Sequence, residues 1–214
     1  MSDFYKKRRE ALIKESGLPI RNLENIELVP EKKDIEAFQQ LSMIKDNIVK
    51  FVNGGYNLLI YSGNPGNGKT TWSIKLGLKY IDYISQFSTE YPPILYINLP
   101  LYFDIRKASI QDKSLSEEVQ RTEHTIKQAK LVIFDDIGIR DLSEFEKQLL
   151  YIWVEHRTSN KKSCIYTSNI NPNNFNDIFG MRIADRIIGY STLIEIKGQS
   201  RRNDKSFVDV LNTF

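Results

Sequence analysis

Apolar positions along the chain follow two alternating rhythms. Ile35, Phe38, Leu41, Ile44, Ile48 and Phe51 recur at helical spacing and predict one helix over 34–52, stopped by Gly54-Gly55. Asn57-Leu58-Leu59-Ile60-Tyr61 is a short apolar run that reads as a buried strand, and helical spacing resumes over 71–83. A second strand is expected at 94–97, after Pro92-Pro93, and a polar, mostly helical stretch at 100–128. Leu131-Val132-Ile133-Phe134 is apolar without alternation, as a strand covered on both faces requires. Ser143-Glu144-Phe145-Glu146 has the form of a capping box that opens a helix to about Arg157. A strand at 163–167, a helix at 181–188 and a last strand at 192–196 complete the series. Residues 3–16 read as a short helix ended by Gly17 and Pro19, with so little apolar surface that a loose or partner-bound arm is expected. Strands alternating with helices predict a three-layer α/β domain on a mainly parallel five-stranded sheet.

The chemistry sits at strand ends. Gly63-Asn64-Pro65-Gly66-Asn67-Gly68-Lys69-Thr70 is a phosphate-binding loop, G-x-x-x-x-G-K-[ST], placed between a strand and a helix. Gly63, Gly66 and Gly68 are read as sites of backbone angles that a Cβ would forbid, so that successive N–H groups turn toward one anion. The helix that Thr71 opens adds its positive N-terminal end. Lys69 supplies a mobile charge for the β- and γ-phosphates, and the Thr70 hydroxyl is a hard ligand for Mg²⁺.

About 65 residues further on, the strand 131–134 runs into Asp135-Asp136. Ligands gather at the C-terminal ends of parallel strands, which brings both carboxylates toward the loop. Asp135 is read as holding Mg²⁺, directly or through water, and Asp136 as orienting and deprotonating the attacking water. Asn169 ends the next strand and is read as reaching the γ-phosphate or that water, with a turn-forming Asn as the alternative.

Size and charge narrow the rest. The 214 residues make one domain with at most short appendages. Nowhere do about 18 apolar residues run together, so no membrane association is expected. The basic N-terminus is followed by no apolar stretch, which argues against a secretory signal. One cysteine, Cys164, excludes an intrachain disulfide and suits a cytoplasmic protein, and it falls in a strand, where a packed thiol is expected. His124 and His156 have no Cys or His at ligand spacing. A net charge of +3 permits nucleic-acid binding without arguing for it.

Taken in order, the phosphate loop, Asp135-Asp136, Thr167-Ser168-Asn169, Arg182-Ile183-Ala184-Asp185-Arg186 and Gly198-Gln199-Ser200-Arg201-Arg202 resemble the AAA+ ATPases of the bacterial helicase-loader group (DnaC and DnaI), with the transposition helper IstB as close kin. The resemblance covers roughly residues 17–202. It implies an ASCE-type P-loop core over 17–214 without a C-terminal helical lid, preceded by an arm at 1–16. It implies ATP and Mg²⁺, self-association on ATP, delivery of a hexameric replicative helicase, and contact with single-stranded DNA. By the same resemblance Asn169 matches sensor 1, and Arg186 matches an arginine finger acting on a neighbour's nucleotide. Arg202, with Arg201 as the alternate, matches sensor 2. Gly17-Leu18-Pro19 resembles a segment that helps wall the adenine. Residues 102–113 occupy the place of a DNA-facing insertion, where Arg106, Lys107 and Lys113 would meet phosphates and Tyr102, Phe103 or Ile110 would pack on bases. An ordinary amphipathic helix burying its aromatics is the alternative there. Three rivals share the loop: an IstB-like transposition helper, a small-molecule kinase, and a scaffold that uses ATP as an assembly switch.

Overall fold

The computed structural model describes residues 3–19, 27–87 and 93–201. Their order is α1 (Asp3–Ser16), α2 (Ile35–Asp46), α3 (Ile48–Asn53), β1 (Asn57–Tyr61), α4 (Lys69–Ile84), β2 (Ile94–Asn98), α5 (Leu99–Ala108), α6 (Lys113–Gln128), β3 (Leu131–Asp135), α7 (Glu144–Ser159), β4 (Ser163–Ser168), α8 (Phe175–Phe179), α9 (Met181–Gly189) and β5 (Ser191–Glu195). The strands form one sheet in the order β2-β3-β4-β1-β5, and every pairing is parallel.

Both faces of the sheet are covered, which explains the missing alternation in its strands. Leu58, Ile60, Ile133 and Ile165 face a core built with α1 to α4. Leu59, Val132, Phe134 and Tyr166 face a second core built with α5 to α9. Trp153 stacks on Phe103 and Phe134 in that second core, with interplanar angles of 12° for both pairs. Among the described residues no helix is long and apolar enough to cross a membrane.

Two expectations change. The helix predicted over 34–52 breaks at Asn47, whose φ is −112° and whose side-chain amide donates to the Met43 carbonyl at 3.0 Å. That bond competes with the helical ladder and splits α2 from α3. The N-terminal helix is docked rather than loose: Leu12 and Ile13 are buried in the first core, and Arg9 Nε donates to Asp82 on α4 at 2.7 Å.

One buried arginine ties the second layer together. Arg157 is fully buried on α7 and donates to the carbonyls of Ile126, Ala129, Lys130 and Ser163 and to Cys164 Sγ. These acceptors end α6 and begin β3 and β4, so one fork closes three element ends. Arg157→Met leaves buried carbonyls without a donor and is expected to cost about 3 kcal/mol. A lowered urea midpoint at unchanged slope is the readout, and an unchanged midpoint would mean that water replaces the guanidinium.

Candidate nucleotide site

Strand order decides what meets at the C-terminal edge of the sheet. β4 lies between β1 and β3, so the residues after β1, β3 and β4 converge. A cleft of about 520 Å³ opens there, lined by Leu28, residues 65–71, Asp135, Asp136, Ile139, Asn169 and Arg201.

The loop wraps an anion-sized hollow for reasons that are local. Gly66 and Gly68 have φ of 75° and 107°, which only glycine adopts without strain. Gly63 does not behave as expected: its φ is not in that region, and a Cβ there would meet nothing within 4 Å. Asn67 is fully buried and donates to Ser62 Oγ at 2.6 Å and to the Ile196 carbonyl at 3.0 Å, which fixes the loop to the residue that follows β5. Lys69 is 5 % exposed, and its Nζ donates to the Asn64 carbonyl at 3.0 Å and Asn67 Oδ1 at 3.1 Å. Gly63 and Asn64 do not line the cleft, whereas Pro65 through Thr71 do.

Asp135 is 2 % exposed and accepts from three hydroxyls. Thr167 Oγ1 donates to Oδ1 at 2.6 Å, Tyr96 Oη donates to Oδ2 at 2.7 Å, and Thr70 Oγ1 lies 3.0 and 3.2 Å from the two oxygens. Burial pushes its carboxyl above the usual range despite these donors, with Asp136 adding to the rise. Two hard oxygens, Thr70 Oγ1 and the Asp135 carboxylate, thus meet at the cleft floor. That donor set fits Mg²⁺, whose charge would offset the desolvation of Asp135. Tyr96 carried no signal in the sequence, and Thr167 entered only as part of the Thr167-Ser168-Asn169 resemblance.

Asp136 lines the same cleft but is held differently. Its φ of 59° places it in the left-handed region, and its N–H donates to Thr167 Oγ1 at 2.9 Å. Thr167 therefore bonds both acids, one through its proton and one through a lone pair. Asn169 also lines the cleft, and its Oδ1 is buried with no hydrogen-bond partner among the described residues. A buried unpaired acceptor aimed into a polar cleft is the mark of a group built for a ligand or water.

The remaining sequence-derived residues divide. Arg201 lines the cleft, and its N–H donates to the Gly66 carbonyl at 2.8 Å. Arg202 lies outside the described residues. Arg186 does not line this cleft; its Nε donates to Glu155 on α7 at 2.5 Å. Leu18 is buried in the first core, and the apolar side chain over the loop is Leu28, 3.3 Å from where a Cβ on Gly68 would sit. Tyr102 and Phe103 are buried against Trp153 and are not available to stack on bases, while Lys107, Ile110 and Lys113 are exposed. Arg106 is held by Glu123 at 3.0 Å.

The family model described as IstB-like ATP binding protein matches residues 5–207. An ATP-binding protein of insertion sequence IS21 from Pseudomonas aeruginosa is 26 % identical over 200 residues, covering 90 % of this chain and 69 % of that protein. The replicative helicase loader DnaC of Escherichia coli K12 is 23 % identical over 164 residues, covering 76 % of this chain and 63 % of that protein. Among solved structures, a DnaC helicase loader superposes with a TM-score of 0.64 at 19 % identity, covering 83 % of this chain and 99 % of that one. DnaA from Aquifex aeolicus bound to AMPPCP superposes with a TM-score of 0.63 at 19 % identity, over 92 % of this chain and 57 % of that one. These two likenesses are likenesses of fold.

Proposed function

Because the chain belongs to the IstB-like ATP binding protein family, we propose that it hydrolyses ATP in this cleft and self-assembles on ATP to deliver a client onto single-stranded DNA. The observation that carries the reading is the convergence of Lys69, Thr70, Asp135, Asp136 and Asn169 on one cleft from three separate strand ends.

In this proposal the N–H groups of residues 66–71 and Lys69 Nζ hold the β- and γ-phosphates. Thr70 and Asp135 would hold Mg²⁺, which would supply charge neutralisation at the phosphates. The Asp136 carboxylate accepts the proton of the attacking water, and Asn169 Oδ1 accepts a hydrogen bond from the same water and orients it. Of the arginine pair, Arg201 takes the role toward its own subunit's γ-phosphate, since its backbone and guanidinium already hold the loop at Gly66 and Asn67. Arg186 serves a neighbour's site. Lys107, Lys113 and Ile110 are the exposed residues offered to DNA.

The client is proposed to be a replicative helicase, a reading supported by the sequence alignment with the replicative helicase loader DnaC of Escherichia coli K12. The family match and the longer insertion-sequence alignment favour a second client, a transposase. Capture of a hexameric helicase by the purified chain with a non-hydrolysable ATP analogue supports the first, and capture of a transposase instead replaces it with the second. Lys69→Ala is the control. Losing a charged phosphate contact is expected to weaken ATP binding by about 10–100-fold and to abolish ATP-dependent capture. Retained ATP binding in that variant would remove the cleft from consideration.

A further inference from the structure

The segment after β5 is held in place by two acids from the far side of the loop. Asp34 ends a short 3-10 turn (Lys32–Asp34) ahead of α2 and is fully buried. Its Oδ1 accepts from the N–H groups of Lys197 at 2.7 Å and Gly198 at 3.0 Å. Glu31 accepts from the next amide, Gln199, at 2.7 Å. Three consecutive N–H groups are thus fixed by two carboxylates. Gly198 has no alternative there: a Cβ would sit inside van der Waals contact of Asp34 Oδ2 and 3.1 Å from Glu31 Oε1.

What this clamp presents is Arg201. Asp34 Oδ2 faces Arg201 Nη2 at 3.4 Å. Arg201 Nε donates to the Asn67 carbonyl at 3.0 Å, its Nη1 donates to the Val29 carbonyl, and the guanidinium lies 5.2 Å over the Phe38 ring. Nothing in the phosphate loop itself dictates this arm, and Asp34 stands about 30 residues before the loop. A long, flexible side chain that is already ordered gives up less entropy when it meets a phosphate.

We propose that Asp34 is a positioning residue that presets Arg201 at the phosphate loop and thereby gives the site its preference for a nucleoside triphosphate over a diphosphate. The proposal rests on the reading of the cleft as the ATP site. Asp34 does not line the cleft. It acts through the turn at 197–199 and through the guanidinium.

The test is the ratio of ATP to ADP affinity, measured by fluorescent-nucleotide titration on the full chain. Asp34→Asn keeps acceptors for the two amides but turns an NH₂ toward Arg201, donor against donor. Gly198→Ala displaces the same turn from the other side. Each is expected to weaken ATP binding by about tenfold and to leave ADP binding nearly unchanged, with a wild-type circular dichroism spectrum. Arg201→Ala is expected to lose the same discrimination, and adding Asp34→Asn to it should cost nothing further. Equal loss of ATP and ADP affinity would make Asp34 merely structural and overturn the proposal. So would additive losses in the double variant, or full discrimination in Arg201→Ala. A wild-type chain that binds neither nucleotide fails earlier and removes the ATP-site reading itself.

Discussion

Replacing Asp136 with Asn is expected to lower kcat for ATP hydrolysis by about 10²–10⁴-fold while ATP binding stays nearly unchanged. The two adjacent acids cannot exchange roles. Asp135 is buried and surrounded by the hydroxyls of Thr70, Tyr96 and Thr167, which shield its oxygens from the attacking water. Asp136 lines the same cleft with a partly exposed side chain, and only its backbone N–H is bonded to Thr167. A carboxylate in that position is open to water and can take a proton. Asn is the right probe because it tolerates the left-handed backbone at φ 59° as Asp does, so the substitution changes charge without changing the turn. Alanine would mix in backbone strain. Equilibrium titration against steady-state turnover separates the two quantities, and normal turnover in Asp136→Asn would assign the proton transfer elsewhere.

What the sequence could and could not convey follows from the range of the interactions involved. The phosphate loop, the strand leading into Asp135-Asp136 and the capping box at Ser143 are local patterns, and each forms where its residues stand. In the structure Ser143 Oγ and Glu146 complete the reciprocal box. The apolar run without alternation at 131–134 is also local, and it showed that this strand is covered on both faces. The residues that finish the site are of another kind. Tyr96 reaches Asp135 across 39 positions of sequence and Asp34 reaches Gly198 across 164, and neither pairing has a period or spacing to reveal it. Arg157 reads as a polar residue near a helix end, yet it is buried because four carbonyls from other elements converge on it. Tyr102 and Phe103 left two readings open, bases or the core, and only the contact with Trp153 from α7 decides for the core.

Arg186→Ala is expected to remove about 10³-fold or more of assembly-stimulated turnover while leaving the ATP affinity of the isolated chain unaltered. Arg186 stands on α9, outside its own cleft, paired with Glu155 at 2.5 Å and with Asp185 at 3.3 Å, its guanidinium 5.7 Å from the Tyr190 ring. Glu155 raises the guanidinium's hold on its proton, and the arginine in turn keeps the Glu155 carboxyl below its usual range. Both partners are about a third exposed, and an ion pair in water is weak. The dense charge of a triphosphate presented by an adjacent subunit can therefore draw Arg186 away from Glu155, whereas its own nucleotide cannot. Turnover per chain should rise with protein concentration in the wild type and stay flat in Arg186→Ala. Mixing Arg186→Ala with Lys69→Ala gives the sharper result. Each alone is inactive, one for want of a finger and the other for want of a bound nucleotide. In the mixture an intact Arg186 from the Lys69→Ala chain can complete the site of its neighbour, so activity should return in part. Activity that fails to return, together with loss of ATP binding in Arg186→Ala, would place the guanidinium in the fold of its own subunit rather than at a shared site.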